Sequence, residues 1–322
     1  MTLVRILWVF SLVLAAGCAS HRGASPEASH KDLSDFGVLV MAHGGSPVWN
    51  AGILAAVEPL RNGYPIEVAF GMADAATMQE TLQRLEAQGA RRVGIVRLFI
   101  SGESWYERTE QILGLSPAAP PSPEPTSSQS HGGSHGGHDQ SMEFWRVQTE
   151  VSFTLSTQGL AEAEAMGAVL ADRARALSRD PQREDVLILA HGPGSDSENE
   201  RWMAWLDARA QMVREALPFR RVQVMTLRED WPEKRPEAER RIRTFVETAR
   251  EDGVTTIVIP FRVYGFGAYA EVLQGLDYVA DGQGLIPHAA VTGWIADQIE
   301  ELRQGPFRST VAATGQPTEA MP

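Results

Sequence analysis

The chain has 322 residues, 43% hydrophobic and 22% charged, a globular composition long enough for two domains with cores of their own. Its formal net charge of −12 excludes a sequence-independent nucleic-acid binder, which needs a basic surface, and disfavours highly anionic ligands unless basic residues cluster locally. A single cysteine, Cys18, rules out an internal disulfide.

The opening "MTLVRILWVFSLVLAAGCAS" has one early cation, Arg5, then an apolar run too short to span a bilayer comfortably, then small residues. Residues 1–17 therefore read as a bacterial export signal. "LAAGC" resembles a lipobox, which implies acylation of Cys18 and a lipid-anchored envelope lipoprotein. Ala19 after the cysteine points, by the same resemblance, to the outer membrane, facing the periplasm. An ordinary signal peptide containing a cysteine is the alternative. Residues 18–34 read as a flexible polar tether.

Strand-then-helix order begins next. "GVLVMAH", "PIEVAFG" and "RRVGIVRLF" are short, buried-type strands. Between the last two, "AATMQETLQRLEAQGA" places Met78, Leu82 and Leu85 on one helical stripe, closed by Gly89. Residues from about 116 to 142 are rich in proline, serine and glycine, have no apolar period and predict a disordered excursion. "FWRVQTEVSFTL" and "LAEAEAMGAVLADRARAL" then give a strand and a helix.

From Asp185 the order returns: strand "DVLILAH", helix "ENERWMAWLDARAQMVREAL", strand "RRVQVMTL". A helix with Ile242, Phe245, Val246 and Ala249 on one face follows, ending at Gly253, then strand "TTIVIPFRV". "GLIPHAAVTGWIADQIEEL" supplies a last strand-like piece and helix. The expectation is an α/β protein of two tandem three-layer α/β/α sandwiches with parallel sheets, over residues 35–180 and 181–305, with a disordered tail at 306–322.

Two strands end alike: "VLVMAHGG" at His43 and "VLILAHGPG" at His191. Ligands of parallel sheets bind at carboxyl ends of strands, and glycine there lets a ligand approach. Imidazole at that place serves as metal ligand or general base, or simply caps a turn. Neither histidine follows arginine, so a phosphohistidine-type "RHG" site gains no support. "HGGSHGGHD" offers His131, His135, His138 and Asp139, a set that chelates cobalt, nickel, zinc or copper, or is an inert tract. His288 reads as a turn or cap residue. Glu198 and Asn199 line the cleft or start a helix. Trp49, Trp105, Trp202 and Trp205 stack on a flat ligand or pack helices.

With "VLVMAHGG", "IEVAFG", "EAQGARRVGIVRLFIS" and "ILGL" in one half, and "LILAHGPGSDSENERW", "FRRVQVMTLRED", "TTIVIPFRV" and "GLIPHAAVTGWI" in the other, the chain resembles the sirohydrochlorin cobalto-/ferrochelatases, the class II tetrapyrrole metal chelatases. The resemblance implies insertion of cobalt or iron (nickel or zinc as alternatives) into a metal-free tetrapyrrole, with His43 as base or ligand, His191 as its counterpart, and Gly44, Gly45, Ser104 and Trp105 against the macrocycle. A second family histidine is replaced: "LFISGESWYE" puts Ser104 in its place beside Glu103, and "PFRVYGFGAYAE" offers Gly267. Glu103 is then expected as an oxygen ligand and proton acceptor beside His43, or as a glutamate favoured near a helix start. The rival expectation is a non-catalytic metal- or tetrapyrrole-binding lipoprotein on the same scaffold.

Overall fold

Strand β1, Phe36–Ala42, is buried at every position, as a central strand covered on both faces must be. It pairs in parallel with β2, Ile66–Phe70, on one side and β3, Arg92–Leu98, on the other. The short β4, Ser152–Leu155, extends β3, giving the order β2-β1-β3-β4. The second sheet repeats the pattern with β5, Glu184–Ala190, between β6, Arg221–Thr226, and β7, Thr255–Phe261, again all parallel. The computed structural model describes residues 35–117, 119–123 and 142–310, so Cys18, His131, His135, His138 and Asp139 lie outside the described residues.

The helices are α1, Pro47–Val57; α2, Ala75–Ala87; α3, Tyr106–Ile112; α4, Ala165–Leu177; α5, Asp196–Ala216; α6, Arg235–Glu251; α7, Tyr269–Val272; and α8, Ala289–Arg303. The stripe Met78, Leu82 and Leu85 is fully buried, as is Ile242 of α6. No helix among the described residues is long and apolar enough to cross a membrane. Two expectations need correction. "GLIPH" forms no strand: it is reduced to a bridge between Ile286 and Tyr264. Beside β7 lies Val279 instead, exchanging backbone hydrogen bonds with Thr256 and Val258 at 2.8 Å. Residues 306–310, expected as tail, begin by closing the edge of β4, where Phe153 and Arg308 exchange two backbone bonds of 2.8 Å.

The strand period of two divides the core. Val38 and Val40 join Val186, Ile188, Ile257 and Ile259 in one apolar cluster shared by both halves. Leu39 and Met41 face a separate cluster with α2, and Leu187 and Leu189 another with α6. The shared cluster exists because two helices are exchanged. α4 leaves the first half to pack along α5 and against β7, while α8 returns from the second half onto β3 and α1. Gly167 allows the first contact, since a Cβ there would stand 2.5 Å from the sulfur of Met212 on α5. Polar pins secure the second: Thr292 Oγ1 donates to the Ala56 carbonyl at 2.9 Å and Trp294 Nε1 to Gln158 Oε1 at 2.7 Å.

Candidate functional site

The two strand–His–Gly turns are built alike. Gly44 and Gly192 hold φ of +80° and +78°, a region open to glycine at no steric cost. Ser46 and Ser195 cap the following helices, accepting from the backbone N–H of Trp49 and Glu198. Each histidine turns Nδ1 toward the carbonyl of the next glycine, at 2.7 Å for His43 and 2.8 Å for His191. A carbonyl only accepts, so Nδ1 carries the proton, and the neutral ring presents its lone pair at Nε2.

At Nε2 the turns diverge. In His191 this nitrogen lies 2.9 Å from Asp230 Oδ2, so both ring nitrogens are engaged within the protein. Trp231 stands edge-on to the same ring, and Arg228 donates to the Pro193 and Gly194 carbonyls and to Asp196. Lys234 Nζ also donates to Asp196, at 2.6 Å, and the bonds from Lys234 and Arg228 hold this exposed carboxyl below its ordinary pKa. The second turn is thus stapled from several sides. His43 is exposed, and no described residue engages its Nε2.

Aromatic rings flank His43. Trp49 lies 6.4 Å from it between centroids, and meets Phe70 and Tyr264 edge-on at 6.3 Å each. Tyr264 comes from the second half, just beyond β7, and rests on α1 at Gly52, where a Cβ would fall 2.3 Å from its ring. Strand ends of both halves therefore face each other across this wall. Trp202 and Trp205 do not join it; Trp202 is buried and Trp205 packs against the shared core.

Glu103, Ser104 and Trp105 occupy the loop after β3. Arg97, a cation inside a buried strand, fixes that loop from below. It donates to the Gly102 carbonyl at 2.8 Å, the Ser156 carbonyl at 3.0 Å and the Ser104 carbonyl, and lies over the Tyr106 ring. Burial lowers its pKa to about 10, which leaves it charged at neutral pH. Trp105 enters α3 with φ of +60°, so Glu103 is not in the first turn of that helix. Both Glu103 oxygens are taken by Arg201 of α5: Nε donates to Oε1 at 3.1 Å and Nη2 to Oε2 at 2.6 Å. That pairing raises the Arg201 pKa. In the second half Arg262 plays the part of Arg97, lying over Tyr269 and pairing with Glu229, with Gly267 close against it.

His288 caps α8, Nδ1 accepting from Ala290 N–H at 3.1 Å and Nε2 facing Asp172 at 3.3 Å. Asn199 bonds Thr226 Oγ1 at 2.7 Å, behind the second turn. Among the described residues no three His, Cys, Asp or Glu side chains are placed to hold one metal ion. A groove of about 440 Å³ between β6 and α6, lined by Arg221, Arg240, Arg241 and Phe245 among others, contains none of these site residues. Sequence reasoning missed Arg97, Arg201, Asp230 and Tyr264. Of these only Arg97 carried a signal, a lone charge within the apolar "VGIVRLF".

The sequence matches no protein-family model and no curated protein. Two of the solved structures that match illustrate the shared architecture. SirB from Bacillus subtilis with Fe3+ superposes with a TM-score of 0.57 at 14% identity, over 83% of this chain and 95% of that one. The sirohydrochlorin chelatase SirB from Bacillus subtilis subspecies spizizenii, in complex with cobalt, gives 0.54 at 13% identity, over 84% and 97%. The chain therefore has a chelatase-like α/β fold, built from two parallel sheets with alternating helices.

Proposed function

We propose that this protein is a tetrapyrrole metal chelatase, taking a divalent ion and a sirohydrochlorin-type macrocycle as substrates at the cleft where the two halves meet. The observation that carries the reading is the open Nε2 of His43, fixed in direction by the bond from Nδ1 to the Gly44 carbonyl. Insertion expels two pyrrole protons and delivers one ion, and a neutral imidazole either takes a proton or holds the ion. Trp49, Phe70 and Tyr264 supply an apolar wall for a flat ring, beside Gly44 and Gly45. Cobalt and iron are the favoured ions because the similar chelatase structures contain them. We further propose export and acylation at Cys18, so that the site faces the periplasm from a lipid anchor.

Purified protein mixed with sirohydrochlorin and Co2+ or Fe2+ should change absorbance faster than the uncatalysed mixture. His43→Ala should cut that acceleration by about a hundredfold without lowering Tm, because the side chain is exposed. A wild-type rate equal to background removes the enzymatic reading. The engagement of both Glu103 oxygens by Arg201 and the presence of Ser104 where the resembled family has histidine favour a second reading, binding without turnover. Tight tetrapyrrole binding at background rate would select it.

A further inference from the structure

Resting on the tetrapyrrole reading, we infer that Arg201 is a receptor for a carboxylate on the rim of the macrocycle, held in reserve by Glu103. The guanidinium already binds a carboxylate through two parallel N–H donors on one edge, the geometry in which arginine reads that group. Its internal occupant is dispensable to the fold around it. The two side chains are 47% and 49% exposed, so water and a competing anion reach the pair.

Each partner is also anchored independently of the other. Arg201 Nη1 donates to the Ser197 carbonyl at 3.3 Å, on its own helix. The Glu103 backbone is held by Ser101 Oγ, 3.1 Å from its N–H. Arg97 and Glu162 clamp the flanking residues, Glu162 accepting from Gly102 N–H at 3.1 Å. An incoming carboxylate can therefore replace Glu103 without either loop moving. The pair bridges the first-half loop after β3 and the second-half helix that starts from the His191 turn, so a ligand held there spans both halves.

A chain with net charge −12 needs such a local cation to accept a polyanionic rim, and the acidic internal partner keeps the cation from recruiting unrelated anions. Exchange also frees the Glu103 carboxylate, one strand away from His43, only when the macrocycle has arrived.

The test is a tryptophan-fluorescence titration of the full chain with metal-free sirohydrochlorin and with a water-soluble porphyrin whose rim is uncharged. Arg201→Met should weaken sirohydrochlorin binding about tenfold, from the loss of a charge-assisted bidentate contact. Glu103→Gln, which removes the internal competitor's charge, should tighten it about threefold. The uncharged porphyrin should bind all three proteins equally. If wild type binds sirohydrochlorin and both variants match it, the exchange is wrong and the chelatase reading stands. Equal weakening of both macrocycles by Arg201→Met would reduce Arg201 to a structural role. Binding of neither macrocycle by wild type would remove the tetrapyrrole reading and this inference with it. Should Arg201→Met fail to fold, the direction of the Glu103→Gln shift decides.

Discussion

Replacing Arg97 with methionine keeps an apolar stem in β3 and removes the cation from beneath the loop that carries Glu103. The buried carbonyls of Gly102 and Ser156 lose their donor, and so does the half-buried carbonyl of Ser104. At about 1–3 kcal/mol for each acceptor left unpaired, the cost is about 5 kcal/mol. Contact with the Tyr106 ring, 4.7 Å away, adds about 0.5–1 kcal/mol. Against this, the guanidinium need no longer be desolvated. Its fall from the ordinary guanidinium value to about 10 corresponds to about 3.5 kcal/mol held against the charged form. The remainder is a loss of about 2 kcal/mol, or a Tm lowered by about 4–8 °C in a chain of this size. Thermal melts by circular dichroism read the stability, and hydrogen exchange reads the amides of residues 99–105, which should lose protection before the sheets do. A variant that melts with the wild type, or melts early with that loop still protected, refutes the idea that Arg97 organises the loop.

One further outcome follows from the geometry and one from the sequence. Asp185 is fully buried at the start of β5; burial alone would raise its pKa, but Arg220 and Arg221 outweigh that and hold it below the usual carboxylate range. Glu184 is lowered likewise, burial being outweighed by Ser178 and two backbone N–H groups. Their folded values lie below the unfolded ones, so the stability they contribute is complete above about pH 4–5 and is lost as pH falls through the depressed values. Melts across the acid range should show that decline, and Asp185→Asn should flatten it; an unchanged slope refutes the assignment. Deleting Ser130–Asp139 should lower Co2+ stoichiometry in a calorimetric titration while leaving sirohydrochlorin binding intact, and unchanged stoichiometry would leave that histidine tract without a metal role.

The reach of the sequence ended where partners are distant along the chain. β1 and β5 were legible because a strand buried on both faces reads as an unbroken apolar run, and α2 and α6 because their stripes repeat every three or four residues. A stripe says that a helix face is covered, not by what. The amphipathic α8 was therefore expected over its own half, yet it lies on β3. His43 and His191 are equivalent as letters. Asp230, 39 positions beyond His191, closes one, and among the described residues nothing comparable closes the other. Glu103 looked unengaged because its partner Arg201 stands 98 positions away on a helix whose charges resemble any solvated face. Arg97 did carry a signal that went unread, since a cation inside a buried strand needs a structural explanation wherever it occurs.

The exchange of α4 and α8 has a bearing on biosynthesis. A growing polypeptide has α4 in hand before β5 to β7 emerge, whereas the first sheet waits for residues 289–308, which emerge only after the whole second sheet. Until they arrive, an apolar sheet surface stays bare and open to chaperones and proteases. Any nonsense mutation upstream of Ala289 thus unroofs the N-terminal lobe that holds His43, so a prematurely terminated product is expected to be cleared rather than to persist as a half-sized protein.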